Sequence, residues 1–296
     1  MQIIPNRKIW FSLSGALVGL SLLALLIWGL KPGIDFTGGS LLEVKFANDP
    51  PSAREELGAL FETLTVGAPA VQQGEGQTLV LRFAPVTEEK HQEIIGKIRA
   101  DFPGAEEARF SSIGPSVGKE LFRKSLVAVF LVALMILGYL AWSFRKVSRP
   151  IASWKYGLIV IVAFLHDVII PLGLFSLLGY FKGWEVGSSF IAAILTILGY
   201  SIADTIVVLD RVRENLKRVR GTFEEVVEVS VHQTITRSVN TSATTMMALL
   251  AIFFFGGASL RDFSLALLIG IFFGTYSSIF IAAPLLVTWY RWQNRR

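Results

Sequence analysis

Long apolar runs, separated by short polar segments, occupy most of the chain. Six of them are long enough to cross the roughly 30 Å of hydrocarbon in a bilayer as helices. They lie near 9–30, 125–144, 156–180, 187–209, 239–257 and 263–289. This pattern predicts a polytopic α-helical membrane protein with six transmembrane helices.

The one long polar stretch, 31–120, has the shorter periods of a water-soluble domain. The segments LLEVKF, AVQQ, TLVLRF and AEEARFSSIG read as strands, whereas SAREELGALFETL and TEEKHQEIIGKIRADF have apolar residues at helical spacing. The resulting order, βαββαβ, is that of a small ferredoxin-like sheet.

These patterns divide the chain into three parts. The first transmembrane helix is 1–30, and an extracytoplasmic ferredoxin-like domain follows at 31–120. A five-helix transmembrane region occupies 121–296. Within it, the charged segment 211–236 has apolar residues at helical spacing, which predicts a cytoplasmic amphipathic helix lying against the bundle or the membrane.

Composition and charge agree with this division. The chain is 52% hydrophobic and only 17% charged, whereas soluble domains carry about 25% charge. Its excess of Lys and Arg lies in 145–155, in 211–220 and near both termini, so the positive-inside rule places both termini in the cytoplasm and 31–120 outside. The first run is too long for a signal-peptide core, and we expect it to be retained.

Asp204 interrupts the fourth apolar run in ILGYSIADTIVVLDR. An ionised carboxylate at the centre of a membrane helix costs about 2.5–3.5 kcal/mol, so we interpret it as functional, with a position near the headgroups as the alternative. Arg237, which opens the fifth run at a similar depth, is its expected partner; an ordinary positive-inside arginine is the alternative. The hydroxyls of Thr241, Thr244 and Thr245 follow on the same side and can hydrogen-bond such a pair or serve as packing residues.

Two further motifs hold candidate residues. His166 and Asp167 in the third run are typical of a proton relay at middle depth; a metal site is not indicated, because no second histidine follows at i+4. The stretch GIDFTGGS contains Asp35, Phe36, Gly38 and Gly39 and predicts a hinge or tight turn, since a phosphate loop requires a preceding strand and a following helix. The chain has no cysteine, which excludes disulfides and thiolate chemistry.

Four motifs resemble the SecF family, the smaller membrane subunits of the bacterial SecD–SecF accessory complex of the Sec translocase. They are GIDFTGGS after the first run, HD in the third, GYSIADTIVVLDRVREN closing the fourth and RSVNTSATT opening the fifth. The motifs occur in the family's order over essentially the whole chain.

The resemblance implies a member of the RND superfamily, in which proton flow through the membrane part drives movement of outer domains. The six transmembrane helices would then be half of an RND-type bundle. It implies that Asp204 and Arg237 are the central proton-pathway pair, accompanied by Asp167 and His166. The implied partners are SecD, the SecYEG channel with accessory translocase subunits, and an unfolded preprotein outside the bacterial inner membrane. We expect no nucleic-acid partner, no enzymatic activity and no cofactor beyond the coupling ion, H⁺ or alternatively Na⁺.

Two other functions stay open at this point. Half of an RND-type small-molecule or lipid exporter would have a substrate cleft and larger outer domains than 31–120 provides. A non-conducting translocase scaffold would have the same buried charges in a purely structural role. Loss of function in Asp204→Asn with assembly intact would separate a conducting subunit from a scaffold.

Overall fold

The computed structural model describes residues 2–47, 54–74, 76–143 and 151–294. Its helices are α1 (Arg7–Trp28), α2 (Ile34–Thr37), α3 (Arg54–Thr63), α4 (Glu88–Asp101), α5 (Pro115–Ser143), α6 (Ser153–Lys182), α7 (Ser188–Arg218), α8 (Phe223–Phe255), α9 (Ala258–Ser277) and α10 (Ala283–Asn294). A π-helical stretch, Ser278–Ala282, joins α9 to α10 and is called the π segment below. The strands are β1 (Gly39–Lys45), β2 (Ala70–Gln73), β3 (Thr78–Phe83) and β4 (Glu106–Ile113).

Six helical stretches in the described chain are long and apolar enough to cross a membrane. This number confirms the prediction, and the chain is a multi-pass membrane protein. The sixth stretch, Leu260–Asn294, is composite, because it includes α9, the π segment and α10.

The segment 211–236, predicted as an amphipathic helix, is not one helix in the structure. That stretch forms the last turns of α7, which ends at Arg218, and the first turns of α8, which begins at Phe223. Thr222 and Glu225 form a capping box that starts α8. No glycine or proline follows before α8 ends, so nothing in the sequence divides the charged turns from the membrane span.

The chain is organised in two compact units. The helical unit consists of Met1–Leu30, Ala128–Trp184 and Ser189–Arg296. The sheet unit consists of Lys31–Val127 together with the short segment Glu185–Ser188. A piece of the connection between α6 and α7 therefore belongs to the sheet unit, although it is distant in sequence.

The sheet unit has the predicted βαββαβ order. Its four strands are antiparallel neighbours in the order β2-β3-β1-β4, as in ferredoxin-like folds. Strand residues alternate between two faces, and one face packs on α3 and α4 around a core of large apolar side chains. The fully buried members include Leu42, Leu57, Phe61, Leu81 and Ile94.

The helical unit is packed through small residues. A Cβ added at Gly173 of α6 would overlap the side chain of Ser21 on α1, and one added at Gly274 of α9 would lie 3.0 Å from Ser201 Cβ on α7. Such close approach is typical of helices that associate in lipid. It brings α7 and α9 near enough for short polar side chains on facing helices to meet.

Candidate functional site

Asp204 lies where three helical elements of the membrane bundle converge. Its side chain, on α7, is half-buried. Oδ1 accepts a hydrogen bond from Ser238 Oγ of α8 over 2.5 Å, and Oδ2 accepts one from Ser278 Oγ of the π segment over 2.6 Å. Two hydroxyls, rather than a cation, therefore hold the carboxylate.

The predicted ion pair between Asp204 and Arg237 is not formed in the structure. No ion pair within 4 Å joins the two side chains in the described part of the chain, and the side chain of Arg237 is exposed. The reason is angular: consecutive residues of an α-helix point about 100° apart. Since Ser238 faces Asp204, Arg237 faces another direction at nearly the same depth.

Arg237 lines a charged cavity between the ends of α7 and α8. The cavity has a volume of about 240 Å³, and Asp210, Arg211 and Glu214 of α7 share its wall with Arg237. Arg211 is paired with Glu214 at 2.9 Å, and Asp210 is paired with Arg213 at 2.7 Å. The cavity is polar enough to hold water, and the Asp210 and Arg211 side chains serve local ion pairs.

The three candidate threonines of α8 form no hydrogen bond with Asp204 or Asp167 in the described part of the chain. Thr241 donates to Arg237 O, and Thr244 and Thr245 both donate to Thr241 O. The Thr245 hydroxyl also lies 3.4 Å from the phenolic oxygen of Tyr200 on α7. Thr241 and Thr244 are exposed on the surface of the helical unit.

His166 and Asp167 form a second, fully enclosed polar site. Asp167 of α6 is completely buried, and His166 Nδ1 lies 2.8 Å from its Oδ1. Oδ2 accepts hydrogen bonds from Ser277 of α9, over 2.7 Å, and from Ser201 of α7. The ring of Tyr276 packs on the imidazole with 5.9 Å between ring centroids. Both residues of the predicted relay thus face the bundle interior.

The glycine pair after α1 has the backbone geometry that the sequence predicts. Gly38 and Gly39 have φ angles of 76° and 137°, which residues with a Cβ rarely adopt. A Cβ at Gly38 would also lie 2.7 Å from Pro115 Cα. Phe36 is buried and packs edge-on against Phe122 with 5.4 Å between ring centroids. The motif is a tight junction between α2, β1 and the start of α5.

Asp35 of this motif caps the N-terminus of α7. Its Oδ2 accepts hydrogen bonds from the backbone N–H of Ser188, over 2.6 Å, and from the Ser188 hydroxyl, over 2.5 Å. A carboxylate is favourable here because the first N–H groups of a helix carry partial positive charge. A Cβ at Gly187 would lie 2.8 Å from the same carboxylate oxygen, so a glycine is required beside the cap.

Three more contacts hold the Glu185–Ser188 segment within the sheet unit. Val186 N donates to Lys31 O over 2.8 Å, and Gly33 N donates to Val186 O over 3.0 Å. Glu185 forms an ion pair with Arg82 of β3 at 2.9 Å. Burial raises the pKa of the Glu185 carboxyl, and the Arg82 charge opposes that rise. We call this set of contacts, together with the Asp35 cap, the clasp.

Across the described ranges, no group of three or more His, Asp or Glu side chains is placed to hold a metal ion. The polar groups around Asp167 and Asp204 are hydroxyls and the His166 imidazole, and these groups together with the two carboxylates can take up, hold and release protons.

Comparison with known proteins places these residues in a family. Residues 94–292 match the model for "Protein export membrane protein SecD/SecF, C-terminal", and residues 24–50 match the SecD/SecF GG motif. The chain belongs to the SecF family. "Protein translocase subunit SecF" of Thermobaculum terrenum is 40% identical over 98% of this chain and 94% of its own length. The SecF subunit of Anaerolinea thermophila is 38% identical over 99% of this chain and 96% of its own length.

A solved structure extends the comparison to three dimensions. The crystal structure of SecDF, a translocon-associated membrane protein from Thermus thermophilus, aligns with a TM-score of 0.84 and 34% identity over 98% of this chain. The chain spans 39% of the length of that SecDF chain. The match confirms the SecF-type architecture, namely a polytopic helical membrane region with a small sheet domain.

The two SecF family models cover both groups of candidate residues. The GG-motif match includes Asp35, Gly38 and Gly39, and the C-terminal match includes Asp167 and Asp204. Sequence reasoning missed the serines that hold the two carboxylates: Ser201, Ser238, Ser277 and Ser278. The available signal was the presence of serines within otherwise apolar membrane runs, where a hydroxyl needs a hydrogen-bond partner.

Proposed function

We propose that this chain is the SecF-type half of a two-part membrane protein that uses the proton-motive force to promote late stages of protein export. It acts with SecD and beside the SecYEG channel on an unfolded preprotein outside the membrane. Its coupling ion is H⁺, with no cofactor, and it carries out no enzymatic reaction. The family assignment supports the role in export, and the Asp204 site supports the coupling to protons.

The Asp204 site carries the mechanistic part of the proposal. A carboxylate that served only as a helix anchor in lipid would be expected to have a permanent cation beside it, because an unpaired charge is costly there. Asp204 instead has two serine hydroxyls, each of which can donate to an ionised carboxylate or accept from a neutral one. The site is therefore compatible with both protonation states of the residue.

The surface of the helical unit supports SecD as the partner. Thr196, Gly199 and Ala203 of α7 are exposed, as are Thr241 and Thr244 of α8. Small and hydroxyl-bearing residues are typical of helix–helix interfaces in membranes. We propose that this face meets the SecD half, which fits the length of the solved SecDF chain, since this chain accounts for 39% of it.

The orientation follows from charge. Lys and Arg are concentrated in 145–155 and 211–220, which the positive-inside rule assigns to the cytoplasm. We propose a bacterial inner-membrane protein with both termini cytoplasmic and the sheet unit outside. The small sheet unit makes half of a small-molecule exporter the weaker alternative, because its core is filled by side chains.

Export into inverted membrane vesicles that contain this chain and its SecD partner tests the function. Asp204→Asn conserves volume and keeps an acceptor for one serine, so the variant should insert and co-purify with SecD. It should lose the increment of export that depends on the proton-motive force. The measurement is the rate of preprotein translocation with the force present and with it collapsed by an uncoupler.

Asp101→Asn is the matched control, because Asp101 is an exposed carboxylate at the end of α4. It should retain the full force-dependent increment. An Asp204→Asn variant that co-purifies with SecD and also retains the increment would show that Asp204 carries no proton and would favour the scaffold function.

A further inference from the structure

Two neighbouring serines at the start of the π segment bind two different carboxylates. Ser277 Oγ donates to Asp167 Oδ2 over 2.7 Å, and Ser278 Oγ donates to Asp204 Oδ2 over 2.6 Å. Consecutive helical residues point about 100° apart. The two neighbouring serine side chains therefore reach one carboxylate on α6 and a second carboxylate on α7. The change from α-helical to π-helical hydrogen bonding occurs at this serine pair, and π-helical turns are frequent at functional sites.

Helix α7 provides a second connection between the two carboxylates. Ser201 of α7 donates to Asp167 Oδ2. Ser201 precedes Asp204 by three positions, so the two side chains lie on adjoining parts of the same helix surface. A shift of α7 that changes the surroundings of Asp204 therefore also changes the hydrogen bonding of Asp167.

Each serine of the pair has a second acceptor within reach. Ser277 Oγ lies 3.1 Å from Gly274 O, and Ser278 Oγ lies 2.9 Å from Thr275 O. A hydroxyl has one proton to donate and can also accept. Beside an ionised carboxylate the serine donates to it. A neutral carboxyl is a weaker acceptor, whichever oxygen carries its proton, so the serine then donates to the backbone carbonyl instead. Each serine thus has two hydrogen-bonded states that follow the protonation of its carboxylate.

His166 gives a proton a route to Asp167. Its Nε2 is buried and has no hydrogen-bond partner among the residues that the structure describes. When Asp167 is ionised, Nδ1–H donates to Oδ1 and Nε2 keeps a free lone pair. A proton added at Nε2, with transfer of the Nδ1 proton to Oδ1, leaves a neutral imidazole and a neutral carboxyl. One N–H bond forms, one N–H bond breaks and one O–H bond forms, so the net change is the uptake of one proton.

We propose that Asp167 is a second proton-binding site and that the Ser277–Ser278 pair couples its protonation to that of Asp204. Protonation of either carboxyl turns the hydroxyl of its serine toward the backbone carbonyl one turn earlier. This changes the hydrogen bonding of the turn that also positions the other serine. The inference deepens the proposed function and rests on it, because it adds a second site to the same proton pathway.

The groups that face the two carboxylates are few. Asp167 is contacted by His166 on its own helix, by Ser201 from α7 and by Ser277 from α9. Among these, only His166 has an ionisable side chain. Within the described ranges, the hydrogen bonds to the Asp204 carboxylate come from serine hydroxyls alone.

The coupling can be measured without an export assay. A hydrophobic carbodiimide reacts with protonated carboxyls, and mass spectrometry can quantify its adducts on Asp167 and Asp204 in vesicles that contain the chain and its SecD partner. Labelling as a function of pH gives a midpoint for each residue. We expect both residues to be labelled. We also expect Asp167→Asn and Ser277→Ala each to shift the midpoint of Asp204 by about fivefold or more in proton concentration.

Thermodynamic reciprocity sharpens the test. If the two sites are coupled, Asp204→Asn must shift the midpoint of Asp167 by the same factor as Asp167→Asn shifts that of Asp204. Ser264→Ala is the matched control, because Ser264 is a buried serine of α9 whose hydroxyl, among the described residues, donates to the carbonyls of Leu260 and Arg261 and to no carboxylate. It should leave both midpoints unchanged.

Two results would overturn the proposal. The first is an Asp167 that is never labelled in the pH range where Asp204 is labelled. The second is an Asp204 midpoint that stays the same in Ser277→Ala and in Asp167→Asn. Ser277→Ala alone suffices if Asp167→Asn fails to co-purify with SecD. Coupled labelling without force-dependent export would contradict the proposed function and leave this inference standing.

Discussion

The sheet unit and the helical unit differ in what their interiors contain besides apolar side chains. The sheet unit encloses large apolar side chains such as Leu42, Phe61 and Leu81. The helical unit also has an apolar core, yet its helices approach most closely at glycines such as Gly173, and serines and an aspartate are buried within it. Water drives the burial of apolar area in the first case. Lipid is as apolar as leucine, so small residues and hydrogen bonds hold helices together in the second.

This comparison predicts opposite sensitivities, and the largest effect is expected in the sheet unit. Leu81→Ala removes a fully buried side chain of β3 and should lower the free energy of unfolding by about 2–5 kcal/mol. A single cysteine at the buried position Ala105, in this otherwise cysteine-free chain, reports unfolding through its thiol reactivity in urea. Val80→Ala, on the other face of the same strand, should have a smaller effect. Equal losses in the two variants would contradict the asymmetry.

The helical unit should respond to an increase in size. Gly173→Ala places a methyl group 2.5 Å from Ser21 Cα, so α6 and α1 must separate, at a cost of about 1–3 kcal/mol. The measurement is the thermal unfolding midpoint of the detergent-solubilised protein. Gly19→Ala on α1 is the control, because a Cβ there has no neighbour within 4 Å. If both variants unfold at the same temperature, close packing at Gly173 is not what holds the two helices.

The smallest expected effect is a pH dependence of the stability of the sheet unit, caused by Glu88. Hydrogen bonds from the Gln92 amide and from His91 lower the pKa of Glu88 from its ordinary value of 4.5. A lowered pKa in the folded state adds stability above about pH 4.5, and this contribution is lost as pH falls through the folded pKa. Glu88→Gln should therefore be less stable than the parent at neutral pH and equal to it in strong acid. Urea midpoints measured by far-ultraviolet circular dichroism at each pH decide this; a difference that persists unchanged in strong acid would contradict it.

The sequence predicted the elements well because each has a strong period or length signal. The strands of the sheet unit alternate, its helices repeat every three to four residues, and six apolar runs stand out by length. The prediction of one amphipathic helix over 211–236 was wrong because the charges of this segment suggested a helix in a loop outside the membrane spans. The better guide was the helical spacing of apolar residues after Gly221, which continues into the membrane span of α8 with no further glycine or proline.

The candidate site was predictable in its acidic residues and not in their partners. Asp204 and Asp167 stood out because carboxylates are rare in apolar runs. Their partners depend on the rotation of each helix about its axis, which depth along the membrane does not specify. Arg237 has the right depth and the wrong direction, whereas Ser238 has both. The contribution of the π segment was also hidden, because no residue pattern in the sequence announces a change in helical hydrogen bonding.

The clasp has a consequence for the order of biosynthesis. The last strand of the sheet ends at Ile113, yet Glu185–Ser188, which the sheet unit holds through Asp35 and Arg82, is synthesised only after α5 and α6. A growing chain can form the four strands early. It cannot form the contacts of the clasp until α5, α6 and the first residues of α7 have been synthesised. Correct insertion of the middle of the protein is thus a condition for finishing a domain encoded near its beginning.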